Sequence, residues 1–262
     1  MRFIRRVQSL SCAAVLAAGT ATLMMPTTAQ AAVACNEPAL VAAINAANAA
    51  GGGTVTLANP CTYVLTSSHD AGANGPDGLP RITTRITLLG GANSTITRAA
   101  TAAPFRIVEV TGTGGLTLTS VTLSNGNAAG GLLGGGDGGG IYSNGAVTLT
   151  NSTLSGNHAD ARGGGIYNGL GATTFTSSFV QSNSTGSLLG LAGGDGGGIY
   201  NTGGTVTFTS GHLSSTSAVA TLLLLGGRGG GMFDNGGTVT FTSSFVQSNT
   251  AQQAGGILTN NA

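Results

Sequence analysis

The sequence predicts an all-β protein, a single-stranded right-handed parallel β-helix with an N-terminal capping α-helix. Three observations predict it. Short glycine runs are each followed by an apolar marker, Ile141, Ile166, Ile199, Met232 and Ile257, at steps of 25, 33, 33 and 25 residues. Each unit then carries a block such as Val147-Thr148-Leu149-Thr150 or Val206-Thr207-Phe208-Thr209, whose alternation buries one strand face and wets the other. The gaps between successive strands are turns, too short for the helix of a βαβ crossover. A fixed internal period of this kind is the signature of stacked coils, with insertions relegated to loops.

Taken in chain order, the first element is an export signal over residues 1–31. Arg2, Arg5 and Arg6 form a basic start, Val7 to Met25 an apolar middle, and Ala29-Gln30-Ala31 a small-x-small cleavage site. A membrane anchor fits less well, because Gln8, Ser9, Gly19 and Pro26 interrupt the stretch. No later segment reaches the roughly 18 apolar residues a span requires. The expectation is a protein secreted or held at the cell surface, with no transmembrane segment in the mature chain.

Residues 35–53 are expected to form the cap. Asn36 suits an N-cap position, Leu40, Ile44 and Ala47 share one helical face, and Gly51 to Gly53 end the helix. Cys12 leaves with the signal, so Cys35 and Cys61 remain as an even pair in an oxidising setting and are expected to form a disulfide. That bond would tie the helix over the open end of the core.

The β-helix itself is assigned to residues 54–262, with regular 25-residue coils from about 116. The two 33-residue steps carry eight extra residues each, in Leu- and Gly-rich stretches around Leu188 to Gly194 and Leu222 to Gly227. After each Thr-rich strand comes a third short strand, carrying Leu154, Val180, Leu213 or Val246. Leu123 stands at the same place in an earlier copy, and Asn127, Asn157, Asn183 and Asn249 follow at corners, where Asn tolerates left-handed backbone. Gly255 to Thr259 opens a coil whose next strand does not follow, which leaves an edge prone to association.

Gly139-Gly140-Ile141-Tyr142 and Leu154-Ser155-Gly156-Asn157, with their copies over residues 116–262, resemble the GG-[ILV]-[ILVY] and F-x-x-N repeats of chlamydial-type polymorphic outer-membrane proteins. Those repeats build a pectin-lyase-like β-helix. In the second motif this chain has Leu or Val where that family has Phe. The resemblance implies the fold and, for the family, surface adhesion.

Aligned on the markers, other positions fall into rows. Asp137, Arg162, Asp195 and Arg228 stand four residues before successive markers and alternate in sign, as an ion ladder would. Tyr142, Tyr167, Tyr200 and Phe233 stand one residue after and are expected to point outward. Two readings stay open for them: an aromatic stripe against which sugar rings pack, or turn aromatics folded over the glycine loops. Stacked Thr-x-Thr pairs are also what an ice-binding face would show.

The composition narrows the function classes. Without the signal the chain has no Lys, and its six Arg against eight carboxylates give 6 − 8 = −2, so a nucleic-acid partner is not expected. Glycoside hydrolysis needs two carboxylates about 5 to 10 Å apart across one bond, and Asp137 and Asp195 stand two coils apart. Gly211-His212 alone assigns nothing. His69, His158 and His212 lack metal-ligand spacing. No catalytic residues, metal or cofactor are therefore assigned. The expected function is non-enzymatic adhesion or contact with glycans or cell-envelope components. The alternatives are a polysaccharide lyase or hydrolase of the pectin-lyase-like superfamily, and an ice-binding protein.

Overall fold

The computed structural model describes residues 31–72, 74–131, 134–186, 194–219 and 226–260. Residues 1–30 of the expected signal lie outside these. So do residues 187–193 and 220–225, which hold most of the two expected insertions.

The described chain is an all-β solenoid of about six turns with one helix, Glu37–Ala49, near its N-terminal end. Asn36 is in extended backbone, and its Oδ1 accepts from the Ala39 N–H at 2.9 Å, satisfying one of the free donors of the first turn. Leu40 and Ile44 are fully buried against the first coil. Cys35 and Cys61 form a disulfide, with Cα atoms 5.7 Å apart. Glu37 adds a second tie. Its carboxylate accepts from Thr66 N and Oγ1 and from Ser67 N, and lies 2.8 Å from His69 Nε2. Burial works to raise the Glu37 pKa, but these hydrogen bonds outweigh it and hold the carboxyl below its ordinary value.

Beyond the helix, strands pair in parallel from one coil to the next. The apolar markers are also the register: Ile141 pairs with Ile166, Ile166 with Ile199, Ile199 with Met232 and Met232 with Ile257. They belong to a six-stranded sheet that includes Ile141–Ser143 and Ile166–Asn168. The second and third strands of each coil, such as Ala146–Thr150 and Thr153–Ser155, share a twelve-stranded sheet. Each regular coil has four strands rather than the three expected. The fourth, His158–Ala159 and its counterparts, is two residues long and forms a five-stranded sheet of its own. At two residues it is too short to show a period.

Inside, equivalent positions stack. Val147, Leu149, Phe175, Val206 and Phe208 are completely buried, and the Phe175, Phe208 and Phe241 rings stack at 4.2 and 4.8 Å. Polar ladders hold the corners. Asn183 Oδ1 accepts from both the backbone N–H and the side-chain amide of Asn157, while Asn157 Nδ2 donates to the Leu123 carbonyl. Each buried amide is thereby paired, as an apolar interior requires.

The glycine runs are steric. Gly163 sits at φ +64°, and a Cβ there would meet the Ile166 carbonyl oxygen at 2.3 Å. A Cβ on Gly164 would strike the Ser184 and Gly197 carbonyls. At this corner the coils stack backbone to backbone.

Candidate functional site

Three outward rows follow from this register. The first continues the marker strands. Glu109, Tyr142, Tyr167, Tyr200, Phe233 and Leu258 are register partners in turn. The rings stack with centroids 4.8, 5.3 and 5.5 Å apart. They form an apolar cluster separate from the core, and Tyr167, Tyr200 and Phe233 are only 8%, 5% and 2% exposed. Tyr142 is half-buried.

The charged row lies against the same rings. Its members bridge in parallel from Asp137 through Arg162 and Asp195 to Arg228. Arg162 Nε and Nη2 donate to the two Asp137 oxygens at 2.9 and 2.7 Å. Arg228 does the same to Asp195 at 2.8 and 2.6 Å. The heads therefore form two bidentate pairs. Arg162 Cζ is 5.1 Å from both the Tyr167 and Tyr200 centroids, and Arg228 Cζ is 4.4 Å from that of Phe233. What the sequence suggests as two rows is one comb of guanidinium groups laid over stacked rings.

This packing sets the local electrostatics. Burial would lower the Arg162 pKa, but hydrogen bonding and charge from Asp137 more than compensate and raise it. Burial pushes the Tyr167 hydroxyl up to about 12, against the pull of Arg162. Tyr167 has Tyr142 on one face and Tyr200 on the other, so the faces a sugar would stack on are already filled. Of the two readings that the sequence leaves open for this row, Tyr167 and Tyr200 do not present the open platform, since both are buried.

A second row lies on the twelve-stranded sheet. Thr54, Thr87, Thr117, Thr148, Thr174, Thr207 and Thr240 are register partners on seven successive strands. Two residues further along each strand run Thr56, Leu89, Thr119, Thr150, Thr176, Thr209 and Thr242. Neighbouring coils repeat at about 4.8 Å and alternate residues at about 6.6 Å. Among the described residues, no protein group bonds the hydroxyls of these threonines. The two rows carry no charge.

The third row was not singled out from the sequence, although its signal is there. Phe179, His212 and Phe245 stand one residue before the apolar residue of the last three third strands, and they stack at 4.9 and 5.0 Å. Phe179 and Phe245 are exposed. Here too the facing rings cover one another.

Near the capped end sits a buried polar group of a different kind. Asp77 and Arg106 are 0% and 1% exposed and bridge neighbouring coils. Arg106 Nε is 2.9 Å from Asp77 Oδ1 but off the N–H direction, so neither atom completes a hydrogen bond. Burial pushes the Asp77 carboxyl up to about 8 despite Arg106. Glu109 Oε2 beside them is also buried without a hydrogen bond.

Among the described residues, no three His, Cys, Asp or Glu side chains are placed to share a metal ion. No helix there is long and apolar enough to cross a membrane. Compared with family profiles, curated proteins and solved structures, the chain matches none.

Proposed function

We propose that the protein is exported and works by surface contact, laying its paired threonine rows against a neutral, repetitive glycan of the cell envelope. The observation that carries this reading is the contrast between rows. The aromatics of the marker strands and the Asp–Arg row beside them spend their faces and donors on one another, whereas the threonine hydroxyls, in register from strand to strand, have no protein partner. Each offers one donor and two acceptor lone pairs, the complement of a sugar hydroxyl. Beyond the exposed Arg85, which stands on the same face two residues before Thr87, this face carries no charge along the regular coils; that suits a neutral polymer better than an acidic one, and function argued in this way rests on the site and not on the fold.

The test is retention on insoluble cellulose and chitin against pectate, for the wild type and a Thr148→Lys/Thr174→Lys/Thr207→Lys variant. Retention on a neutral glycan that the variant loses supports the reading. Equal retention of both proteins, or of neither, removes it. Ice is a second occupant favoured by the same rows, since a hydroxyl and a methyl recur on every coil. Thermal hysteresis of the wild type, lost in the variant, would select it.

A further inference from the structure

The fourth, two-residue strands bring together three side chains that the sequence scatters. His158 and Ser184 are register partners on neighbouring coils, and both point outward, since Ala159 and Thr185 beside them are buried. His158 Nδ1 lies 2.9 Å from Ser184 Oγ. His158 Nε2 lies 3.2 Å from Asp160 Oδ1. The second oxygen of Asp160 accepts from the Gly130 N–H at 2.9 Å, which fixes the carboxylate. The histidine is 36% exposed and Asp160 26% in their side chains, so solvent reaches the group. On the next coil Ser217 pairs with Ser184, half-buried, with its hydroxyl free of protein partners.

We infer that Ser184, His158 and Asp160 form an acyl-transfer site that hydrolyses small O-acyl esters, such as acetyl groups carried on sugar hydroxyls. A nucleophile bonded to a base, with the base held by a third group, is the arrangement that activates a serine. Such sites are recognised by roles rather than by chain order. The roles of the two ring nitrogens are interchangeable, provided that one takes the serine proton while the other N–H is held by a carboxylate.

Ser184 Oγ attacks the acyl carbon as its proton passes to His158 Nδ1, and the carbonyl oxygen becomes an oxyanion within reach of the Ser217 hydroxyl. The bond to the alcohol breaks and His158 returns the proton to the departing oxygen. Water then attacks the acyl-serine with His158 again as base, releasing the acid and restoring Ser184. The sum is ester plus water to acid plus alcohol. The substrate class follows from the surroundings. The row runs Asn127, His158, Ser184, Ser217, Thr250, polar at every step, which suits an ester on a hydroxylated carrier and a short acyl group. This inference stands independently of the threonine rows.

The test uses the purified chain with p-nitrophenyl acetate and a fluorophosphonate label. The wild type should hydrolyse the ester above buffer and take up the label at Ser184. Ser184→Ala and His158→Ala should each lower kcat by about 10² or more, with melting temperatures unchanged because both side chains are outward. Asp160 is a positioning residue, so Asp160→Asn should lower kcat while leaving KM in place. A folded wild type that neither turns over nor labels overturns the inference. Turnover that survives Ser184→Ala but is lost in His158→Ala also overturns it, since histidine alone would then be the catalyst.

Discussion

Asp and Arg meet at bridged positions on neighbouring coils both near the capped end and along the regular coils, with opposite results. At Asp137–Arg162 and Asp195–Arg228 the forks are bidentate, and the guanidinium groups keep part of their surface in water, their side chains being 40% and 41% exposed. At Asp77–Arg106 the same two residue types are sealed in, and the contact is off-axis. The lesson concerns geometry. A charge pair is secured by aligned hydrogen bonds and a share of solvent, and proximity alone does not replace what burial removes.

The comparison breaks most visibly at Arg162. Arg162→Ala should lower stability by about 2 to 3 kcal/mol, because it strands the Asp137 carboxylate and uncovers Tyr167 and Tyr200. The urea midpoint measures this, and an unshifted midpoint would mean the comb contributes nothing.

The capped end should show itself through pH. The folded Asp77 carboxyl is raised from 3.8 to about 8 by burial, so between these values the native state holds a proton that the unfolded chain releases. Its contribution to stability is complete below pH 3.8 and is lost as pH climbs through about 8. Thermal melts of Asp77→Asn over pH 4 to 9 should show a flatter slope than wild type. An identical slope would contradict the assignment.

Arg162→Lys sharpens the contrast more gently. Lysine keeps the charge but cannot reproduce a fork or stack on rings, so a loss of about 1 kcal/mol in the same urea series is expected. The smallest effect belongs to Thr174→Val. With a free, outward hydroxyl, it should change stability by no more than about 0.5 kcal/mol while weakening retention on a neutral glycan.

Much of this was legible in one dimension. The markers from Ile141 to Ile257 are both the sequence period and the hydrogen-bond register, and Asn36, Leu40 and Ile44 announce the helix. Cys35 and Cys61 form the expected disulfide. The comb was not legible as one object. Arg162 and Tyr167 are five residues apart around a glycine corner, and only the left-handed turn at Gly163 folds one over the other. The exposure of the tyrosines is left open by the sequence, because alternation reports which way a side chain leaves its strand, not what lies over it. Ser184 and His158 lie on strands two residues long and Asp160 just beyond one, so no period in the sequence marks them.

The glycine corner has a consequence for how such a chain changes length. Because coils meet there through bare backbone, the glycine seam itself is particular to no one pair of neighbours, but the charged row beside it alternates in sign. Removing residues 166–231 takes out the Asp195–Arg228 pair together and would bring Met232 onto Ile141, with Phe233 over Tyr142, Thr240 beside Thr148 and Asn249 beside Asn157. The solenoid therefore behaves as a tape measured in pairs of turns, which can be shortened or extended while each Arg keeps its Asp.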